Sequence, residues 1–326
     1  MIWLLLAVVA HAGNALVFVV DKSLLGGSSR VSDPLRYTFY SAVLAGVAAV
    51  LLVFGYVPLT MFIVGWSALA AVFYIVALWF FFTALKKGEP SRVVPIAGSA
   101  VPAFTLLLAV IFLGEVLSTR SLLAVFLLII GGLFLSVQFL KVRGLSVSVV
   151  AGAVISGLFF AGYYAVMKYI YENTDVFLAV FAYSRVVQAV VAVVLFLFFV
   201  LSRRVLPRRE PSGRLRPQSR FALNVPRRRY PAASPAARFG LLIPAVFVAN
   251  KALAAGAFIL LNYAISLGSV TVANALQGTQ YVFLLLLAAV ISVWWPRLFK
   301  EEISQVAVWQ KIGGIVLVSL GVALLV

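Results

Sequence analysis

The chain has 326 residues, 64% of them hydrophobic and only 11% charged, where soluble domains carry roughly 25% charged residues. It has no cysteine, which excludes disulfides, thiolate metal sites and thiol nucleophiles. One histidine and nine carboxylates leave little for hydrolytic or metal chemistry, so neither an enzyme nor a cofactor is expected.

Ten apolar runs of about 20 residues, enough to cross a hydrocarbon core as helices, recur along the chain. They lie near 2–20, 35–54, 61–84, 92–113, 119–139, 145–168, 176–201, 240–266, 269–294 and 306–326. The alternation of a membrane β-barrel strand is absent. Span 1 carries Ala10-His11-Ala12, which looks like a cleavage site, but it lacks the basic n-region of a signal peptide and is read as a mature helix.

Polar residues within spans are costly and therefore candidates for a site. His11 and Asn14 lie one turn apart on span 1. The histidine is either a coupling group that titrates near neutral pH or a packed hydrogen-bond partner. Span 3 is rich in aromatics (Trp66, Phe73, Tyr74, Trp79, Phe80) and span 6 carries Tyr163 and Tyr164. Tyr74 and Tyr164 are expected to line a cavity, and the tryptophans to sit at the interfaces. Pro95 and Pro102 in span 4, and Pro244 in span 8, are hinge candidates, with a plain packing kink as the alternative. Gly131 and Gly132 in span 5, with Gly314 and Gly321 in span 10, are read as close-contact faces.

Arg185 lies well inside span 7, with Gln188 one turn beyond. It is either a fork for a substrate carboxylate or phosphate, or a snorkelling surface charge. After it comes the segment 203–238, with eleven arginines, six prolines and one glutamate, a composition that cannot bury a core and reads as a disordered loop. Charge of this kind beside membrane helices acts as a topology anchor, so no nucleic-acid partner is expected. In span 8, Lys251 stands beside Asn250, facing an anionic solute or a structural partner. No acid is expected deep in a span, which favours the solute. Span 9 holds the densest polar set. Asn274, Gln277 and Tyr281 share one helical stripe flanked by Thr279 and Gln280, which reads as site lining with interhelical hydrogen bonding as the alternative.

The second half repeats the first. Residues 84–107 and 264–287 correspond at an offset of 180, pairing Ala84 with Ala264, Gly88 with Gly268 and Ser99 with Thr279. The expected repeats are 1–140 and 141–326. Each contains five spans, so the halves must be inverted relative to each other. Counting charges at the span ends as well, loops after spans 1, 3, 5, 7 and 9 carry 3, 3, 2, 11 and 2 Lys/Arg, against 0, 1, 1 and 0 after spans 2, 4, 6 and 8. The positive-inside rule places the arginine-rich loop in the cytoplasm and both termini outside.

These features together resemble the ten-helix EamA type of the drug/metabolite transporter superfamily. The residues that carry the likeness are Ala84-Leu85 through Pro102-Ala103-Phe104, Phe112-Leu113-Gly114-Glu115 and Gly131-Gly132. In the second half they are Asn262-Tyr263-Ala264-Ile265, Gly268, Gln280-Tyr281-Val282-Phe283, Glu301-Glu302 and Lys311-Ile312-Gly313-Gly314. The resemblance implies an all-α cell-membrane protein with two inverted five-helix repeats, transporting small organic metabolites or drugs, often outward, through a central cavity. The small four-helix members couple to protons through a helix-1 glutamate, which this chain replaces by His11 and Asn14. The expected substrate is anionic or amphoteric, and the expected assembly a monomer or homodimer surrounded by membrane lipid. The rival readings are a lipid flippase or scramblase, a membrane enzyme and a scaffold recruiting partners through the arginine loop.

Overall fold

The structure, a computed structural model, describes residues 2–26, 33–88, 90–136, 146–205, 242–294 and 305–326. Most of the 203–238 segment and the Glu301-Glu302 pair lie outside the described residues. Eleven α-helices account for nearly all of the described chain: α1 (Ile2–Gly26), α2 (Pro34–Leu44), α3 (Met61–Lys87), α4 (Pro90–Phe112), α5 (Thr119–Ser136), α6 (Val147–Glu172), α7 (Phe177–Val205), α8 (Leu242–Leu267), α9 (Val270–Ala275), α10 (Gln277–Trp294) and α11 (Gln305–Leu325). Among the described residues eight stretches are long and apolar enough to span a membrane, and Thr119–Leu135 and Trp309–Leu325 are shorter apolar helices.

The ten expected spans are present, with two local differences. Span 2 is α-helical only to Leu44 and continues as a 3₁₀ segment, Ala45–Phe54. Span 9 was expected as one helix and is two, α9 and α10, broken at Leu276. Helix starts follow local chemistry. Asp33 accepts from the Arg36 amide ahead of Pro34, Thr60 from Ile63 and Ser269 from Val272, each satisfying a first-turn donor.

Packing pairs recur in the sets that an exchange of the two halves requires. α3 packs on α6 as α8 packs on α1, α4 packs on α6 as α9–α10 pack on α1, and α5 and α2 each meet their own equivalents, α11 and α7. The repeat reaches single bonds. The Gly88 amide donates to Ala84 and that of Gly268 to Ala264, ending α3 and α8 alike. A Cβ at Gly88 would stand 2.9 Å from Val149 of α6, and one at Gly268 2.4 Å from Trp3 of α1. The exchange is incomplete, however. α3 lies along α7 and α5 along α9–α10, whereas the mates, α8 with α2 and α11 with α4, have no comparable packing among the described residues.

The expected glycine contacts are met with one change. A Cβ at Gly131 would approach Val318 at 2.8 Å, and one at Gly314 would approach Leu135 at 2.8 Å, so α5 and α11 touch through bare backbone. Gly321 faces Leu128 of α5, but Gly132 faces the Tyr281 ring of α10 rather than α11.

Candidate functional site

Between the halves, α3, α6, α7 and α8 converge on Arg185. The side chain is 3% exposed and begins eight residues, about 12 Å, into its helix. Its guanidinium lies 4.9 Å from the Phe258 ring, 5.1 Å from Tyr163, 5.3 Å from Tyr74 and 5.5 Å from Phe181. Nη2 donates to the Tyr163 hydroxyl at 2.7 Å and Nε to Ser184 Oγ at 3.3 Å. Tyr163 and Tyr171 both donate to Asn262 Oδ1 at 3.1 Å. Among the described residues no carboxylate pairs with Arg185. The aromatic faces supply part of what water would give the cation, and the planar fork keeps donors for an oxyanion. Tyr164 is buried with its ring 5.0 Å from that of Tyr163. Gln188, also buried, donates to the Ala42 carbonyl at 3.4 Å and leaves Oε1 without a partner.

The polar stripe of span 9 gathers around the break at Leu276. α9 has only six residues, and the amide of its C-cap, Leu276, returns to the Val272 and Asn274 carbonyls, passing over that of Ala273. His11 Nε2 reaches the Ala273 carbonyl at 3.0 Å. A carbonyl can only accept, which assigns the ring proton to Nε2 and leaves Nδ1 bare. Gln280 faces that ring, and neither Nδ1 nor Gln280 Nε2 has a hydrogen-bond partner. Asn274 donates to Thr105 of α4 at 3.2 Å and Tyr281 to the Val94 carbonyl at 3.3 Å. Gln277 is half-buried opposite Gly98, where a Cβ would come within 2.9 Å of its Nε2 and 1.7 Å of the Tyr281 hydroxyl. Asn14 is half-buried on α1.

The prolines divide. Pro95 and Pro102 are inside α4; the Pro95 carbonyl accepts from Ser99 Oγ at 2.7 Å, and the neighbouring Val94 carbonyl takes Tyr281. Pro244 lies near the start of the described part of α8, which begins at Leu242.

Lys251 corrects an expectation. Asp21, one residue past the expected end of span 1 but inside α1, is 2% exposed and meets Lys251 Nζ at 2.9 Å. Tyr37 and Asn250 donate to the same carboxylate oxygen. A buried acid therefore does lie within a span, and sequence reasoning missed it because 230 positions separate the partners. Their helices, α1 and α8, are a repeat-related contact, which is the signal that could have found the pair.

Towards one end of the bundle, a cavity of about 300 Å³ is lined by Glu115, Lys168, Glu172 and Gly268 among others. Lys168 donates to the Gly268 carbonyl at 2.9 Å and pairs with Glu172 at 3.4 Å, ending α6 as an anchor. Glu115 follows Gly114, whose φ of 64° suits glycine, and accepts from Thr271 at the start of α9.

Comparison with known proteins finds a likeness to one family over the first part of the chain. Residues 1–137 match the EamA-like transporter family. A solved structure described only as a crystal structure of a protein is similar with a TM-score of 0.59 at 15% identity, over 99% of this chain and 94% of its own, and at that identity shows the fold alone. No curated protein matches the chain.

Proposed function

We propose that this chain, whose residues 1–137 match the EamA-like transporter family, moves small organic solutes across the cell membrane by alternating access, in the outward direction. The observation that carries the reading is Arg185, a buried cation in an aromatic enclosure between the halves with no carboxylate beside it among the described residues. A charge so placed is costly unless a solute or water completes it, so the solute carries a carboxylate or phosphate and is anionic or amphoteric. Tyr74, Tyr164 and Phe258 supply rings for its apolar part. Asn274, Gln277, Gln280 and Tyr281, with Asn14 and Gln188, form the polar wall. The broken span 9 and the proline-bearing α4 are equivalent elements of the two repeats, and discontinuous helices at the repeat interface are where carriers bind.

The loops after spans 1, 3, 5, 7 and 9 face the cytoplasm in this reading, with both termini outside. Two internal repeats make a monomer sufficient for transport.

The test is uptake of a pooled metabolite library into proteoliposomes, with and without a pH gradient, for the native chain, Arg185→Ala and Gln277→Ala. Accumulation of organic anions that both substitutions reduce supports the reading. Accumulation untouched by either removes this site, and movement of lipid analogues without solute uptake replaces the carrier by a flippase.

A further inference from the structure

The bundle holds a second caged cation. Lys251 Nζ lies 4.6 Å from the Tyr37 ring, 5.5 Å from Phe82 and 5.6 Å from Phe247. These groups come from α1, α2, α3 and α8, counting Asp21 on α1, while the Arg185 cage comes from α6, α7, α8 and α3. Exchanging the repeats carries α1, α2 and α3 into α6, α7 and α8, so one helix set becomes the other. In register, Tyr37 corresponds to Phe181 and Phe82 to Asn262. The cations themselves are not equivalent, since Arg185 aligns with Ser41 and Lys251 with Ala71. Two different residues have thus been placed in repeat-related enclosures on opposite halves of the bundle. Aromatic rings run from one to the other: Phe82 to Phe81 at 5.6 Å, Phe81 to Phe160 at 6.4 Å and Phe160 to Tyr74 at 5.7 Å.

The cages differ in one respect. Among the described residues Arg185 has no acid, whereas Lys251 holds Asp21. Tyr37 and Asn250, the latter at 2.7 Å, donate to that carboxylate independently of the lysine. The carboxylate therefore keeps two donors when the ammonium turns away from it.

We propose that the Lys251 cage is a second station for the oxyanion of the transported solute, and that Asp21 occupies it here as an internal stand-in. An arriving organic carboxylate or phosphate displaces Asp21 from Lys251, and Asp21 closes the station again once the solute has left. This rests on the reading that the solute is an anion engaged by Arg185.

Binding of benzoate and of phenyl phosphate to the full chain in nanodiscs tests the proposal, the two probes separating carboxylate from phosphate. Asp21→Asn removes the stand-in and is expected to tighten binding of at least one probe tenfold or more, the gain disappearing in Asp21→Asn/Lys251→Gln. Equal binding by Asp21→Asn and the native chain, or a gain that survives loss of Lys251, overturns the proposal. Arg185→Gln in the native background reports on the underlying reading separately, since its failure to weaken binding removes Arg185 without touching the Lys251-dependent gain. Should Asp21→Asn not yield monodisperse protein, Lys251→Gln alone decides. Probe binding retained with counterflow lost at least tenfold supports the station, and counterflow at the native rate overturns it.

Discussion

His11 donates from Nε2 to the carbonyl of Ala273 at 3.0 Å, across 262 residues of chain. The bond exists because α9 stops short and the Leu276 amide passes over that carbonyl. It ties the first span to the break in the ninth, and so joins the two halves at the wall of the site.

Removal of this donor has a definite expected effect. His11→Ala leaves a buried carbonyl unpaired and should lower stability by about 1–3 kcal/mol, seen as an earlier thermal unfolding midpoint in detergent. His11→Gln, which keeps an amide donor, should recover at least part of the loss. Equal midpoints for the native chain and His11→Ala would show that the bond contributes nothing.

The Arg185 enclosure predicts that charge alone does not suffice. Arg185→Lys keeps the cation but loses the planar fork and its stacking on four rings. At about 1.4 kcal/mol, the middle of the range for such contacts, KM for the transported anion should rise about tenfold. Arg185→Ala should abolish saturable uptake. Native KM in Arg185→Lys would remove the rings from the recognition scheme.

Gly98 and Tyr281 should behave as a coupled pair. A Cβ at Gly98 would fall 1.7 Å from the Tyr281 hydroxyl and 3.0 Å from its Cζ, so Gly98→Ala should cost about 1–3 kcal/mol through overpacking. Tyr281→Phe removes the hydroxyl, and the double variant should be more stable than Gly98→Ala. Additive losses in the double-mutant cycle would contradict the contact.

Contact between α5 and α11 depends on bare backbone at Gly131 and Gly314, whose carbonyls each lie 3.0 Å from a Cβ placed on the other. Gly131→Leu should therefore separate the two helices and reduce folded yield in detergent, with Gly313→Leu as the control, since Gly313 has only Phe134 at 4.0 Å. Equal yields from the two variants would mean that the close approach is dispensable.

Orientation can be read from one engineered thiol, because the chain has no cysteine. Ser212→Cys lies in the arginine-rich segment and should stay unlabelled by an impermeant maleimide in intact cells, then label after lysis. Labelling of intact cells would reverse the sidedness.

The helices and the duplication were legible in the sequence, since a bilayer forces apolar stretches of fixed length into helices and the repeat pairs glycines at matching helix ends. Gly88 and Gly268 are the clearest case, ending α3 and α8 with the same bond. Two features were not legible. The break at Leu276 carries no proline, and what it exposes is taken up by His11, a tertiary partner far away in sequence. The burial of Asp21 was not legible because its counter-ion sits on α8 and its other donors on α2 and α8. Local pattern locates polar residues in spans, but which of them neutralise one another is decided by how the repeats dock.

The lopsided docking described above, with α3 along α7 but α8 meeting α2 only through side chains such as Phe247 and Tyr37, has a thermodynamic meaning. In a molecule made of two exchangeable halves, any arrangement in which one pair is packed and its mate is not has a counterpart with the roles reversed. Under the proposed alternating access these two arrangements are two minima, and because the halves have diverged the two differ in energy. An imbalance of about 1.4 kcal/mol would leave roughly one molecule in eleven in the other minimum. Substitutions lining α3 and α7, remote from any solute, would then tune that ratio, and with it the apparent affinity measured from each side of the membrane.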